Sequence, residues 1–372
     1  MHNQMKFATF FYPGYYLCPL RNSAAGQVVD EWEVLKSGVK STFVDTEPIV
    51  PALGYTDCSD PAVLAREVAL ATAHGIDAFI FNYYFDGEHE ELSKPLETFC
   101  TISGNLQFAI NICCHMPKRK LPFGVKDANV APLCQLSVQE FEALACRLSE
   151  KFFVSSRYMK HNSRVVVTFY HVGALVLLYG PTGLSERLNH FRQTLMRCGI
   201  EVHLVGLFSV VGGWNKPAFS LEGLSFDSYS CYVALPDFES VEAVQPFDIA
   251  ANRSLAGMSS FRTNTASLIV CIGAGWNATA RGAAGYDPEV HGLAFPYYPV
   301  IINDQPEAFE LYLRRAVDLS RSNEACCRDL LFLGPWNEWN EGCYLLPDTR
   351  FGPAKLEAIR RVKANLCNKL VL

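Results

Sequence analysis

An α/β chain is what this sequence predicts: one domain over residues 1–372, folded as a single (β/α)8 TIM-type barrel with extended βα loops. Three observations predict it. Eight short apolar runs recur along the chain, mostly uninterrupted, as expected of strands buried on both faces of a parallel sheet. Helical segments separate them, as crossovers between parallel strands require, and eight such units close into a ring. No G-x-G-x-x-G or P-loop follows any strand, which speaks against an open doubly wound sheet.

The elements follow in order. Residues 7–12 form the first strand, stopped by Pro13-Gly14. A long polar loop with Asp30-Glu31-Trp32 leads to Asp60-Pro61, a helix start with Asp as N-cap and Pro in the first turn; Gly75 ends that helix. The second strand is expected at 78–81 and a helix at 90–101. Strand three is 108–113, a helix covers 138–152, and strand four is 165–170. A helix at 185–197 precedes strand five at 202–208. Strand six is placed at 224–229, where Ser225, Asp227 and Ser228 dilute the apolar signal. A helix fills 239–256, strand seven is 267–272, and a helix runs from 306 to 319. Strand eight is 330–333, and a last helix spans 356–366.

Composition narrows the function. At 372 residues with 49% hydrophobic side chains the chain can fill a large core, and 19% charged residues leave little for disordered tails. Net charge is −6, and the longest basic run is Lys118-Arg119-Lys120, which argues against a nucleic-acid partner. Fourteen cysteines show no C-x-x-C spacing, and several sit inside apolar runs, as Cys113 and Cys271 do. They read as reduced thiols in a reducing, cytoplasmic compartment. Neither a signal peptide nor an apolar stretch long enough to span a bilayer is visible. No cofactor is indicated. No metal site is expected, because His74, His89, His115, His161, His171, His190 and His203 show no ligand spacing with acids on one element. A serine or cysteine triad is equally unsupported, with no G-x-S-x-G elbow.

The chemistry gathers after strand eight. Gly334 and Pro335 stop the strand, and Trp336-Asn337-Glu338-Trp339-Asn340-Glu341-Gly342 follows at once. Two acids three positions apart, two indoles and two amides suit a sugar pocket better than a solvated loop or a core. Aromatic faces stack on pyranose C–H surfaces, carboxylates and amides bind hydroxyls, and two acids can divide acid and base work on a glycosidic bond. The expected partner is therefore an oligosaccharide or polysaccharide substrate. The catalytic candidates are Glu338 and Glu341. Barrels place their chemistry at the C-terminal ends of strands. Those ends offer Tyr12, Tyr83, Tyr84, His115, Tyr170, Tyr229, Trp276, Arg281, Trp336, Asn337 and Trp339 as substrate-binding candidates, with Asp227 beside them.

Several ordered blocks then carry a resemblance. They are Phe11-Tyr12-Pro13, Glu31-Trp32, Leu53-Gly54-Tyr55-Thr56-Asp57 with Asp60-Pro61, and Ala73-His74-Gly75-Ile76-Asp77-Ala78-Phe79 with Tyr83-Tyr84-Phe85-Asp86-Gly87. Lys94-Pro95-Leu96-Glu97, the stretch 276–281, the segment 336–342, Leu346-Pro347-Asp348 and Phe351-Gly352 complete them. Together they resemble the WbsX-type, glycoside-hydrolase-family-99-like domain along nearly the whole chain. The resemblance implies a (β/α)8 barrel acting on carbohydrate, in a group that includes endo-acting α-mannosidases and proteins described as glycosyltransferases of surface-polysaccharide synthesis. It implies a retaining hydrolase of α-linked glycans. Glu338 would assist the substrate 2-hydroxyl as base through an anhydro-sugar intermediate, and Glu341 would protonate the leaving oxygen and later activate water. Where relatives tend to show Trp and Asn after strand three, Ile112 and Cys114 stand here, and an acid of the block after strand seven is Asn277. These departures lie in the expected substrate wall and leave the acid pair intact. The alternatives are a glycosyltransferase using the same cleft, although the sequence has no D-x-D motif, and a non-catalytic carbohydrate-binding barrel.

Overall fold

The computed structural model describes residues 5–25, 28–37, 49–114, 134–210, 219–240, 242–281 and 297–368. Its frame is a ring of parallel strands. These are β1 (Lys6–Phe11), β2 (Ala78–Phe85), β3 (Gln107–Cys113), β4 (Arg164–Tyr170), β5 (Val202–Val210), β6 (Ser228–Val233), a β7 in two pieces (Ser267–Leu268 and Cys271–Ile272), and β8 (Leu330–Leu333). Sequence neighbours pair in parallel from β1 through β6. Ser267–Leu268 continues the row on β6, Cys271–Ile272 pairs with β8, and β8 pairs with β1. The ring thus closes within β7: Ile269 N donates to Tyr229 O and Phe332 N donates to Val270 O, both at 2.9 Å. This is the (β/α)8 TIM-type fold that the apolar runs predict.

The helices are α1 (Pro19–Ala25), α2 (Glu31–Ser37), α3 (Pro61–Ala73), α4 (Lys94–Thr101), α5 (Val138–Leu148), α6 (Val172–Arg197), α7 (Phe247–Ser259), α8 (Pro306–Ser322) and α9 (Ala354–Asn368). Alternation along each strand sends one set of side chains to the helices and the other into the ring. Outside, Phe11, Phe79 and Phe81 pack on one another and on Phe99 of α4, with centroids 4.7–6.2 Å apart. Inside, Phe10 meets Phe332 at 5.5 Å. Asp60 caps α3 by accepting from the backbone N–H groups of Ala62 (2.7 Å) and Val63 (3.1 Å), with Pro61 in the first turn. Asp60→Ala is expected to lower unfolding stability by about 1 kcal/mol in a urea titration. An unchanged midpoint would mean that the cap contributes nothing.

Some expectations are corrected. Strand six lies at Ser228–Val233, not 224–229. Its inward positions Ser228, Ser230 and Tyr232 are polar because they hydrogen-bond inside the ring, whereas Leu224 and Phe226, which attracted the reading, are buried in the loop before it. Asp227 consequently sits at the strand's start. There it accepts from Leu204 N (2.8 Å) and pairs with Arg164 (2.7 Å) and Arg192 (2.9 Å). Glu90 and Glu91 extend β2 in an antiparallel pairing with Phe85 and Tyr84, so that helix begins only at Lys94. The polar loop around Glu31 forms α2. Helix α6 starts at Val172, well before 185, and passes a non-helical Gly180 ahead of Pro181. Helix α7 begins at Phe247 because Val244–Pro246 pairs with Val300–Ile302. Among the described residues no helix is long and apolar enough to cross a membrane, and the described cysteines are free thiols.

Candidate active site

The segment after β8 folds into a tight hairpin. Asn337–Glu338 pairs antiparallel with Cys343–Tyr344, and a 3-10 turn, Trp339–Glu341, joins them. Gly342 closes the turn at φ 60°, where a Cβ would come within 2.6 Å of Asn277 N, so only glycine fits. Asn337 clips the hairpin to the end of β1: its Oδ1 accepts from Tyr12 N and its Nδ2 donates to Tyr12 O, both at 2.8 Å. Glu338 and Glu341 are thereby fixed on one turn at the C-terminal mouth of the ring.

Their surroundings set their protonation. Burial pushes the Glu338 carboxyl well up, the charge of Glu341 adds to this, and Arg281 opposes it. Burial also raises Glu341, but Arg281 Nη1 donates to its Oε1 at 2.5 Å and works in the other direction. Two acids that feel each other in a dry site favour holding one proton between them. Glu338 Oε1 accepts from Tyr232 OH at 3.0 Å, while its Oε2 is buried with no hydrogen-bond partner among the described residues. Arg281 ends the 3-10 turn Thr279–Arg281, which Asn277 caps by accepting from Thr279 Oγ1 at 2.6 Å. Asn277 N in turn donates to Glu341 O at 2.7 Å. The residue that departs from the family's acid thus supports the turn carrying Arg281.

Behind Tyr232 runs a row of buried side chains. Thr168 Oγ1 donates to Asn111 Oδ1 (2.7 Å), Asn111 Nδ2 to Asn82 Oδ1 (2.8 Å), and Asn82 Nδ2 to Tyr232 OH (2.9 Å). Every donor points toward Glu338. On the other side Glu31, at the start of α2, accepts from Tyr12 OH and Arg21 Nη2 through Oε1 (both 2.7 Å) and from Asn340 Nδ2 through Oε2 (2.6 Å). Burial pushes Glu31 up, but the charges of Arg21 and Arg281 and these hydrogen bonds outweigh it and hold the carboxyl below its usual range.

Of the sequence candidates, the structure brings Tyr12, Tyr84, Tyr170 and Arg281 to the acid pair. Tyr170 lies 5.3 Å from Tyr232 by ring centroid, and burial raises its phenol with Glu341 and Glu338 contributing. Burial raises Tyr84 likewise, with Cys113, Tyr12 and Glu338 adding to the shift. Trp276 is buried after β7, edge-on to Phe238 at 5.4 Å. Trp339 stacks on Tyr344 at 4.1 Å and approaches Trp32 at 6.2 Å. Others are placed elsewhere. Trp336 is fully buried behind the strands, against Phe79 at 5.1 Å, and donates through Nε1 to Glu67 of α3 at 3.0 Å. Tyr83 has the wrong parity on β2 and meets Phe152 at 6.2 Å. Tyr229 faces the helix layer, where it donates to Leu221 O at 2.9 Å and packs on Phe226. His115 lies outside the described residues. Sequence reasoning missed Tyr232, whose signal is the alternation Ser228, Ser230, Tyr232. It also missed Arg21 and the buried role of Glu31, for which the sequence holds no local signal.

Comparison with known proteins adds three findings. Residues 7–225 and 251–359 match the family model described as Glycosyltransferase WbsX. The uncharacterized protein WxcX of Xanthomonas campestris pv. campestris is 24% identical over 370 residues, covering 95% of this chain and 48% of that protein. The chain spans about half the length of the curated relatives it matches. Among solved structures, a GH99 endo-α-mannosidase from Bacteroides thetaiotaomicron in complex with bis-tris-propane superposes with a TM-score of 0.58 at 11% identity, covering 98% of each chain. A glycoside hydrolase-like protein gives 0.55 at 12% identity, covering 97% of this chain and 94% of that one. At such identities the likeness is one of fold.

Proposed function

This chain belongs to the Glycosyltransferase WbsX family, and from that premise we propose that it is a carbohydrate-active enzyme, a retaining glycoside hydrolase that cuts within α-linked glycans using Glu338 and Glu341. The observation that carries the reading is the mutually interacting pair itself: a buried and a partly buried carboxylate on one rigid turn at the mouth of a closed barrel, with the Glu338 Oε2 unengaged among the described residues. That a structural neighbour is an endo-α-mannosidase supports including α-mannosides among the substrates to be tried.

In the proposed cycle Glu338 takes the proton of the sugar 2-hydroxyl as that oxygen attacks the anomeric carbon. The glycosidic C–O bond breaks, and Glu341 gives its proton to the leaving oxygen. Water then opens the anhydro-sugar; Glu341 takes a proton from the water, and Glu338 returns one to the 2-oxygen. Two inversions leave the configuration retained. The resting site favours the opposite arrangement: burial and the neighbouring Glu341 push the proton toward Glu338, while Arg281 opposes the smaller rise that burial imposes on Glu341. A sugar hydroxyl that draws Arg281 off Glu341 moves the proton across the pair and readies both groups.

The test is a panel of α-linked oligosaccharides incubated with the protein beside its Glu341→Gln variant. Product anomers are followed by NMR. The reading expects the initial product to keep the α configuration and the variant to be silent; an inverted product would remove the mechanism. The glycosyltransferase name of the family favours a second reading, a glycosyltransferase using the same cleft. It expects transfer from a nucleotide- or lipid-linked sugar and no hydrolysis of the panel. Tyr232→Phe deletes one donor to a carboxylate and is expected to lower kcat/KM roughly 10- to 100-fold, about 1.5–3 kcal/mol, with the fold intact. A change of less than about two-fold would make the Tyr232 contact idle.

A further inference from the structure

On the opposite face of the barrel, three side chains able to ligate a metal meet. The hairpin entering β4 pairs Lys160–His161 with Arg164 and Val165 and turns through Asn162 and Ser163, at φ 48° and 67°. The segment entering β8 carries Cys327 and Asp329. Its backbone is held on both sides: Cys327 N donates to Leu268 O (2.7 Å), Ser320 Oγ to Cys327 O (2.6 Å), and Lys6 N to Asp329 O (2.8 Å). His161 Nε2 lies 3.9 Å from Cys327 Sγ, His161 Nδ1 lies 3.5 Å from Asp329 Oδ1, and Cys327 Sγ lies 3.3 Å from Asp329 Oδ1. One donor atom from each residue lies within 4.8 Å of the other two.

We propose that His161, Cys327 and Asp329 form a binding site for a zinc-type divalent cation. A tetrahedral ion with bonds of about 2.0–2.3 Å has ligand–ligand edges of roughly 3.3–3.8 Å, so side-chain shifts on the order of 1 Å complete the site. One sulfur, one imidazole nitrogen and one carboxylate oxygen select zinc or cobalt(II) over magnesium or calcium, which take oxygen donors. The ion uses one imidazole nitrogen. If that is Nε2, it displaces the Asn162 amide that lies 3.1 Å away. His203 packs edge-on to His161 at 4.8 Å but is no fourth ligand, because its nitrogens already contact Arg164 Nη2 and Ser228 Oγ, both at 2.9 Å. The fourth position is left to water, reached through a cleft of about 520 Å³ that His161 and Asp329 line with Lys6 and Lys160. Those two lysines weaken the pull on a cation, so affinity falls below that of a closed four-ligand site. On binding, the Cys327 S–H bond breaks heterolytically. Its proton leaves to solvent, the sulfur donates its pair to the ion, and no oxidation state changes. Sequence spacing could not show the site, because His161 and Cys327 stand 166 positions apart.

The experiment is a cobalt(II) titration of the full chain under reducing conditions, read by absorbance. The site predicts one equivalent with a near-ultraviolet thiolate-to-cobalt band and tetrahedral visible bands, one proton released per ion, and displacement by zinc. Cys327→Ser should lose the near-ultraviolet band, and Asp329→Asn should bind at least ~10-fold more weakly. Cys100→Ser, which removes an exposed thiol elsewhere, should titrate as the parent does. Thermal melts confirm that each variant is folded. No band in the parent, or a band that survives Cys327→Ser, overturns the site. Neither result bears on the carboxylate pair.

Discussion

Glu338→Gln and Glu341→Gln are each expected to cut turnover of an α-glycoside by roughly 10²- to 10⁴-fold while the protein stays folded. The substitutions are close in shape, so packing is spared. In Glu338→Gln the amide oxygen can still accept from Tyr232, but an NH2 group replaces the unengaged oxygen, and nothing remains to take the proton of the 2-hydroxyl. In Glu341→Gln the partner of Arg281 becomes neutral and no proton is available for the leaving oxygen. The two losses should differ in kind. A nitrophenyl leaving group needs little protonation, so it should restore much of the bond-cleaving step in Glu341→Gln and none of it in Glu338→Gln. Equal losses on good and poor leaving groups in Glu341→Gln would strip that residue of its acid role. Losses in the double variant should fall well short of the product of the two, because residues acting as a unit are not additive.

The second large effect concerns stability. Glu67 of α3 is buried, and burial pushes its carboxyl up to about 7 from 4.5 despite the Trp336 indole donor and Arg66. In the unfolded chain the group ionises near its usual value. Between pH 4.5 and about 7 the folded protein therefore keeps a proton that the unfolded chain has released. Fewer protons bound in the unfolded state make stability fall as pH rises through that window; the contribution is whole below it and gone above it. The size is about 3 kcal/mol, from roughly two and a half units at about 1.4 kcal/mol each. Glu67→Gln keeps an acceptor for the indole and cannot ionise. Its buried NH2 adds a cost that does not depend on pH, so the readout is the change in its stability relative to the parent. That difference should move in favour of the variant by up to about 3 kcal/mol between pH 5 and pH 8 in urea titrations. Parallel curves for the two proteins would show that Glu67 does not titrate in this range.

Much of the frame was legible because most barrel strands are apolar throughout. β1, β3, β4, β5 and β8 lie within two residues of their predicted bounds. β6 escaped because its inward positions, Ser228, Ser230 and Tyr232, are polar, and an apolar-run reading slides off such a strand onto Leu224 and Phe226. The aromatic candidates divide by parity. Tyr83 and Tyr84 are adjacent, so only one can face inward; Asn82, a polar residue inside an apolar run, marks the inward set and selects Tyr84. Trp336 carried the same ambiguity with no neighbour to resolve it. The Arg21–Glu31 pair depends on how α1 and α2 lie over the ring's mouth, which no local pattern encodes. Nor does local spacing bring His161 to Cys327, since only barrel closure places the start of β4 near the entry to β8.

The row from Thr168 through Asn111 and Asn82 to Tyr232 makes the Glu338 carboxyl lopsided. With each amide and hydroxyl handing its hydrogen forward, the last link can only give one, and Oε1 must stay bare of hydrogen. A ligand therefore meets Oε2 as the oxygen with no partner among the described residues. An inhibitor bearing a single-point ammonium should find its whole contact there, whereas the second prong of a forked amidinium would have to share Oε1 with the Tyr232 hydroxyl.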